Sequence, residues 1–173
     1  MLNDFYTSTR ELTPLTLGVI VQYDPHGNPN ACILEEENEY DVTDSPTKVI
    51  DDACSYFGSS LRGRQDGTRN ICGITHKAPI SIDPMSGMYY FPTYSPTSSK
   101  CSWIAHSHID KVNKREGQHT EIIFKNNRSV ILEASYGSVL NQVQRTAQFR
   151  FLLDKRIRYL LKHSPEQVAE PFA

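Results

Sequence analysis

Three consecutive residues, Arg62-Gly63-Arg64, have types and spacing that suit contact with a polyanion. A glycine has no side chain, so its backbone can press to the floor of a narrow groove while the flanking arginines run along it. The minor groove of A·T-rich DNA is narrow and strongly negative, and it attracts such arginines. The same residues also fit an exposed polar loop whose arginines are simply solvated. Further along, Arg145 and Arg156 stand eleven residues apart, about three helical turns, and so share a face, while Lys155, Arg158 and Lys162 make a second basic row at helical spacing. Rows of this kind suit phosphate contacts, which position a protein on a duplex without reading its sequence.

Other constellations point elsewhere. The Arg-Gly-Arg core is like that of AT-hook peptides, but Leu61 and Gln65 occupy the places of the hook's prolines. His106-Ser107-His108-Ile109-Asp110 places two histidines at alternate positions, where a strand would present both to one metal ion. It matches the start of the HxHxDH signature of metallo-β-lactamase hydrolases, with Lys111 in place of the last histidine. Cys72 and His76 stand four apart, and nothing in the sequence marks any of the thiols as activated. The phosphate loops GxxxxGK[ST] and GxGxxG are both absent.

The elements that must position these residues follow from punctuation and periodicity. Leu15 to Tyr23 and Ala31 to Leu34 flank the turn residues 25–29 and predict a hairpin. Ser45 as N-cap and Pro46 at the first helical position open a helix over about 46–57, closed at Gly58. Residues 58–69, GSSLRGRQDGTR, read as a polar loop. Two further hairpins are expected, one from 80–83 with 88–91 and one from 120–124 with 129–133. Residues 101–109 alternate as one strand, with His106 and His108 on the face opposite Cys101 and Trp103. A long helix over about 135–163 carries one apolar stripe through Tyr136, Val139, Leu140, Val143 and Ala147 and a second through Phe149, Leu153, Ile157 and Leu160. The rotation between the stripes predicts a kink or break near Gln148. The fold class expected is α+β.

The 173 residues suit one domain, with an acidic segment over 1–44, a basic body over 45–163 and a short tail over 164–173. Residues 1–44 carry nine acids against one base, a net −8, which leaves 17 bases and 11 acids, a net +6, for the rest. An acidic stretch before a basic body suggests a surface facing a polyanion, with the acidic part either pairing with basic neighbours or screening that surface until a partner displaces it. Mean hydropathy is −0.48, and the longest apolar runs fall far short of the ~18 residues of a membrane span. Residues 1–10, MLNDFYTSTR, show no leader, and Cys32, Cys54, Cys72 and Cys101 show no CxxC pattern. A cytoplasmic protein with free thiols and no cofactor is the expectation.

The central third of the chain closely resembles the ComK family of competence transcription factors from Gram-positive bacteria. The resemblance is carried by Phe57-Gly58-Ser59-Ser60, the Arg64/Gly67 segment, His76-Lys77-x-Pro79, Asp83-Pro84, Phe91-Pro92-Thr93, Cys101-x-Trp103-Ile104-x-His106-x-His108 and Asn141-Gln142-Val143-x-Arg145-Thr146-Ala147. It covers about residues 40–160 and is closest over 54–109. It implies activation of DNA-uptake genes through paired A/T-rich boxes bound in the minor groove by two dimers. It also implies a nucleoid-associated location. Family members can carry a longer C-terminal tail for capture by a Clp-protease adaptor, and no such segment is found in the SPEQVAEPFA that ends this chain.

On this reading the protein is no enzyme. Arg62 and Arg64 enter the groove, Gly63 permits their approach, Arg69, Lys77 and Lys100 hold phosphates from flanking loops, and Arg145 and Arg156 lie on the outer rim. Phe151 and Leu152, off both core stripes, are the expected dimer contacts, and they fit burial under the N-terminal hairpin equally well. Two rivals stand beside this reading, a metal-dependent hydrolase using His106, His108 and Asp110 and a protein-interaction module without DNA binding.

Overall fold

The computed structural model describes residues 11–163. Strands β1 (Thr16–Tyr23), β2 (Pro29–Glu35) and β3 (Glu39–Val42) form a meander, followed by helices α1 (Pro46–Tyr56) and α2 (Leu61–Cys72). Strands β4 (Ile80–Asp83), β5 (Met88–Pro92) and β6 (Trp103–Ala105) complete a six-stranded antiparallel sheet in the order β3-β2-β1-β6-β5-β4. Strands β7 (Ile109–Lys114), β8 (Thr120–Phe124) and β9 (Ser129–Leu132) make a second, three-stranded sheet, and helix α3 (Tyr136–Lys162) closes the described chain. This is the expected α+β class, with all three predicted hairpins in place.

The large sheet is covered on both faces, and the period-2 alternation of its strands shows how. Ile33, Tyr90 and Trp103 pack into one apolar cluster with Val49, Ile50 and Cys54 of α1 and Leu61 of α2. Their neighbours Leu34, Phe91 and Ile104 pack into the other, with Ile122 and Phe124 of the small sheet and Val139 of α3. Trp103 is fully buried, and its indole N–H donates to Thr47 Oγ1 at 3.1 Å, which satisfies the one polar group the ring carries into the core.

The opening helix forms as predicted. The Ser45 hydroxyl accepts from the Lys48 N–H, Pro46 stands in the first turn, and Gly58 follows at φ +81°.

Three expectations need correction. Residues 61–72 are helix α2, not a loop. The Ser60 hydroxyl caps it by accepting from Gly63 N–H at 3.0 Å, Asp51 Oδ1 accepts from Leu61 N–H at 2.9 Å, and Gly73 ends it at φ +74°. Only Leu61 and Thr68 of this helix are buried, and Gly63 and Gly67 lower its intrinsic propensity, so tertiary contacts rather than composition hold it. Residues 101–109 are not one strand either. Strand β6 ends at Ala105, a 3-10 turn spans His106–His108, and β7 then pairs with β8, so the chain turns a corner between the two sheets at the histidines. Finally, α3 runs unbroken past Gln148 for 27 residues, about 40 Å. Its buried stripe is Val139, Gln142, Thr146 and Phe149, and from Arg158 onward every described side chain is exposed. The buried line passes through polar Gln142 and Thr146 directly to Phe149, with Leu153 and Ile157 half-buried beyond it and Leu160 exposed, so one straight helix serves both apolar stripes without a rotation.

Candidate nucleic-acid interface

Helix α2 presents Arg62, Asp66, Arg69 and Asn70 to solvent while Leu61 and Thr68 face inward. Thr68 fixes the rotation of the helix, its buried hydroxyl donating to Pro79 O at 2.6 Å. Across from the exposed face runs the segment 74–78, and the two enclose a surface groove of about 390 Å³ lined by Arg62, Gln65, Asp66, Arg69, His76 and Lys77 and bordered by Ser95 and Pro96. Three bases thus meet one acid. Asp66 lies 3.4 Å from Arg69, with both side chains more than half exposed, a geometry that leaves the arginine largely available. The Arg62 side chain has no hydrogen bond or ion pair among the described residues.

The wall of this groove is braced from behind by α3. Buried Gln142 donates from Nε2 to Lys77 O at 2.9 Å and to Pro92 O at 2.7 Å. Arg145 donates to Gln142 Oε1 at 2.6 Å and to His76 O at 2.5 Å. Its partial burial holds the guanidinium below its ordinary value. Lys77 itself, at φ +48°, reaches Ser138 Oγ at 3.3 Å. Arg156 donates to Asn70 Oδ1 at 3.2 Å. Arg145 and Arg156 do share a face, as their spacing predicted, and that face is turned toward α2 and the segment after it.

The Arg-Gly-Arg core is not an extended finger. Residues two apart on a helix diverge by about 200°, so while Arg62 points out, Arg64 turns to the flank against β4. There it is half-buried and donates to Ile82 O at 3.2 Å, while its Nε is buried without a partner. Gly63 lies in the capped first turn, where a Cβ would sit 2.9 Å from Ser59 Oγ and 3.2 Å from Ser60 Oγ. Arg69 lies in α2, not on a flanking loop. Lys100 is exposed in the loop after β5 but borders a separate groove with Tyr23, Tyr94 and Glu133. Gln65, Asn70 and His76 were not assigned to this surface from the sequence. The signal was present in Ser60 as a cap, Leu61 and Thr68 seven apart, and Gly73 as a stop.

The rival constellations come apart. Among the described residues no group of three or more His, Cys, Asp or Glu side chains is placed to hold a metal ion. His108 Nε2 lies 2.6 Å from Pro14 O, and its Nδ1 lies 3.9 Å from Glu36. His106 faces a different cleft beside Arg150, where burial, and then that arginine, hold its imidazole below the ordinary value. Asp110 is exposed. All four cysteines are free, and burial pushes the Cys54 and Cys101 thiols up to about 11, which suits small core residues rather than nucleophiles.

The acidic turn between β2 and β3 does not screen the groove. Arg128 of the β8–β9 hairpin donates to Glu35 O at 2.7 Å and Asn38 O at 3.0 Å and pairs with Glu39 at 3.4 Å, while Asn126 donates to Glu36 O at 2.9 Å. The acids beside this turn thus face Arg128, which pairs with Glu39 at the start of β3, and His108, whose Nδ1 lies 3.9 Å from Glu36.

A family model described as ComK protein matches residues 7–158, farther toward the N-terminus than the resemblance read from the sequence. A protein named "Competence transcription factor" from Bacillus subtilis (strain 168) is 37% identical over 139 residues, which cover 80% of this chain and 72% of that protein. No solved structure matches the chain.

Proposed function

The chain belongs to the ComK family, and from that premise we propose that it is a transcription activator of competence genes, a DNA-binding protein rather than an enzyme, that docks on double-stranded DNA through the outer face of α2. The observation that carries the reading is the groove in which Arg62 and Arg69 of α2 face Lys77, with Arg62 unengaged among the described residues. The relative bears the name of a competence transcription factor, and a basic, concave, braced surface is what such a role requires.

The helical geometry refines the mode of contact. A helix with its side chains is about 10–12 Å across, wider than the ~6 Å minor groove of B-DNA. In this reading α2 rides on the rim of the minor groove of an A/T-rich box, the Arg62 side chain enters it, and Arg69 and Lys77 neutralise phosphates on either side. Arg64, Gly63, Arg145 and Arg156 act as positioning residues, and Lys100 lies on an outlying contact. Two dimers occupy paired boxes, with Phe151 and Leu152 in the subunit contact.

Fluorescence anisotropy with a labelled duplex tests this. Replacing A·T by G·C pairs in the box is expected to weaken binding by about 1–3 kcal/mol per pair. The Arg62→Ala/Arg69→Ala variant is expected to lose affinity for both duplexes and to flatten the dependence of log Kd on log salt by about two. Wild-type affinity and slope in that double variant would overturn the assignment.

A further inference from the structure

The outward face of α3 carries side chains that a solvated helix does not need. Phe151, Lys155, Tyr159 and Lys162 recur three or four residues apart, opposite the buried stripe of Val139, Gln142, Thr146 and Phe149. Phe151 is 68% exposed and Tyr159 63% exposed. Between residues 150 and 162 the helix bears five bases, Arg150, Lys155, Arg156, Arg158 and Lys162, against one acid, Asp154. Phe151 is not under the N-terminal hairpin, and Leu152 is half-buried in a groove with Ile71 and Tyr159. An exposed aromatic and basic ridge of this kind marks an interaction surface.

A complementary surface lies on the same chain. Leu12 and Ile33 floor a groove of about 250 Å³ beside α1, and Tyr56 and Phe57 stand exposed at its edge. Its acids are Glu11, Asp44 and Asp52. Lys48 pairs with Asp52 at 2.6 Å and feels Asp44 at longer range, while neither Glu11 nor Asp44 makes a close ion pair among the described residues. Pairing two α3 ends with each other would set like charges together. Seating one end in the acid-rimmed groove of another copy sets opposite charges together and buries aromatic rings against an apolar floor.

We infer that the exposed end of α3 docks into the α1 groove of a second copy of the chain, so that the subunit contact joins two different surfaces. This refines the subunit contact proposed above, and it does not depend on the DNA reading, since its test is run without DNA. If two copies exchange ends reciprocally the interface is two-fold and closes as a dimer, whereas one-way docking is heterologous and grows into rings or filaments.

Sedimentation velocity decides it. The groove variant Glu11→Lys/Asp44→Lys and the ridge variant Lys155→Glu/Lys162→Glu are each expected to self-associate at least tenfold more weakly than wild type. Mixed one to one, they are expected to recover a complex, because the acidic ridge of one meets the basic groove of the other. Circular dichroism confirms that each variant is folded, and Tyr159→Ser supplies an uncharged break with the same expected loss. Three results overturn the inference: a wild type that is monomeric throughout, a groove variant that associates as wild type does, or a ridge variant that pairs more tightly with wild type while the groove variant has no effect. The last would place the contact between two α3 ends.

Discussion

Arg128 and Arg62 carry the same guanidinium and lie on two regions of the molecule that use it differently. On the β8–β9 hairpin, Arg128 gives its donors to Glu35 O, Asn38 O and the Glu39 carboxylate, and so fastens the small sheet to the acidic turn of the large one. On the outer face of α2, Arg62 has no partner among the described residues. Arg64 and Arg145 belong with Arg128, since both donate to backbone carbonyls, of Ile82 and His76. The difference teaches that charge count alone does not locate a nucleic-acid surface. A cation is available for phosphate only where the fold has left its donors open.

That contrast can be broken in order of effect. Gln142→Leu leaves the carbonyls of Lys77 and Pro92 and the Arg145 guanidinium without a shared partner inside the structure. It is expected to cost about 1–3 kcal/mol for each buried group left unsatisfied, read by urea denaturation, and to weaken DNA binding because the groove wall loses its brace. Arg128→Ala is expected to cost about 1–3 kcal/mol while leaving the salt dependence of DNA binding at the wild-type slope. A flattened slope in that variant would move the interface to the hairpin. Gly67→Ala acts in the opposite direction. A Cβ there meets nothing within 4 Å, so the substitution is expected to stabilise α2 by up to about 1 kcal/mol.

The smallest effect is a pH dependence. Burial and Arg150 hold the His106 imidazole below its ordinary value near 6.5. The unfolded chain therefore binds that proton more readily than the folded one. The contribution of His106 to stability is present in full above about pH 6.5 and is lost as pH falls through the lower folded value. Melting temperatures at pH 7.5 and 5.5 should fall further for wild type than for His106→Gln, and equal falls would show that the histidine is not coupled to folding.

The sequence announced those elements whose chemistry is local. The Ser45-Pro46 start of α1 and the turn residues of three hairpins act within a few positions of themselves, and each was legible. Helix α2 was not, because its stabilising contacts are distant: Asp51 bonds to Leu61 across ten residues and Thr68 to Pro79 across eleven. The corner at 106–108 was hidden for a related reason, since alternation continues through it while the pairing partner changes from β5 to β8. Of the residues expected at the site, Arg62, Arg69 and Lys77 line one groove. Arg64 was misplaced because an extended finger and a helix send residues two apart in different directions.

One titration addresses the central claim most directly. Kd for an A/T-rich duplex is measured from low to moderate salt for wild type, Arg62→Ala and Arg64→Ala, beside the denaturation midpoint of each. The account predicts that Arg62→Ala flattens the salt slope by about one at unchanged stability, whereas Arg64→Ala lowers the midpoint and keeps the slope. Equal loss of slope in the two variants, or none in Arg62→Ala, would contradict it.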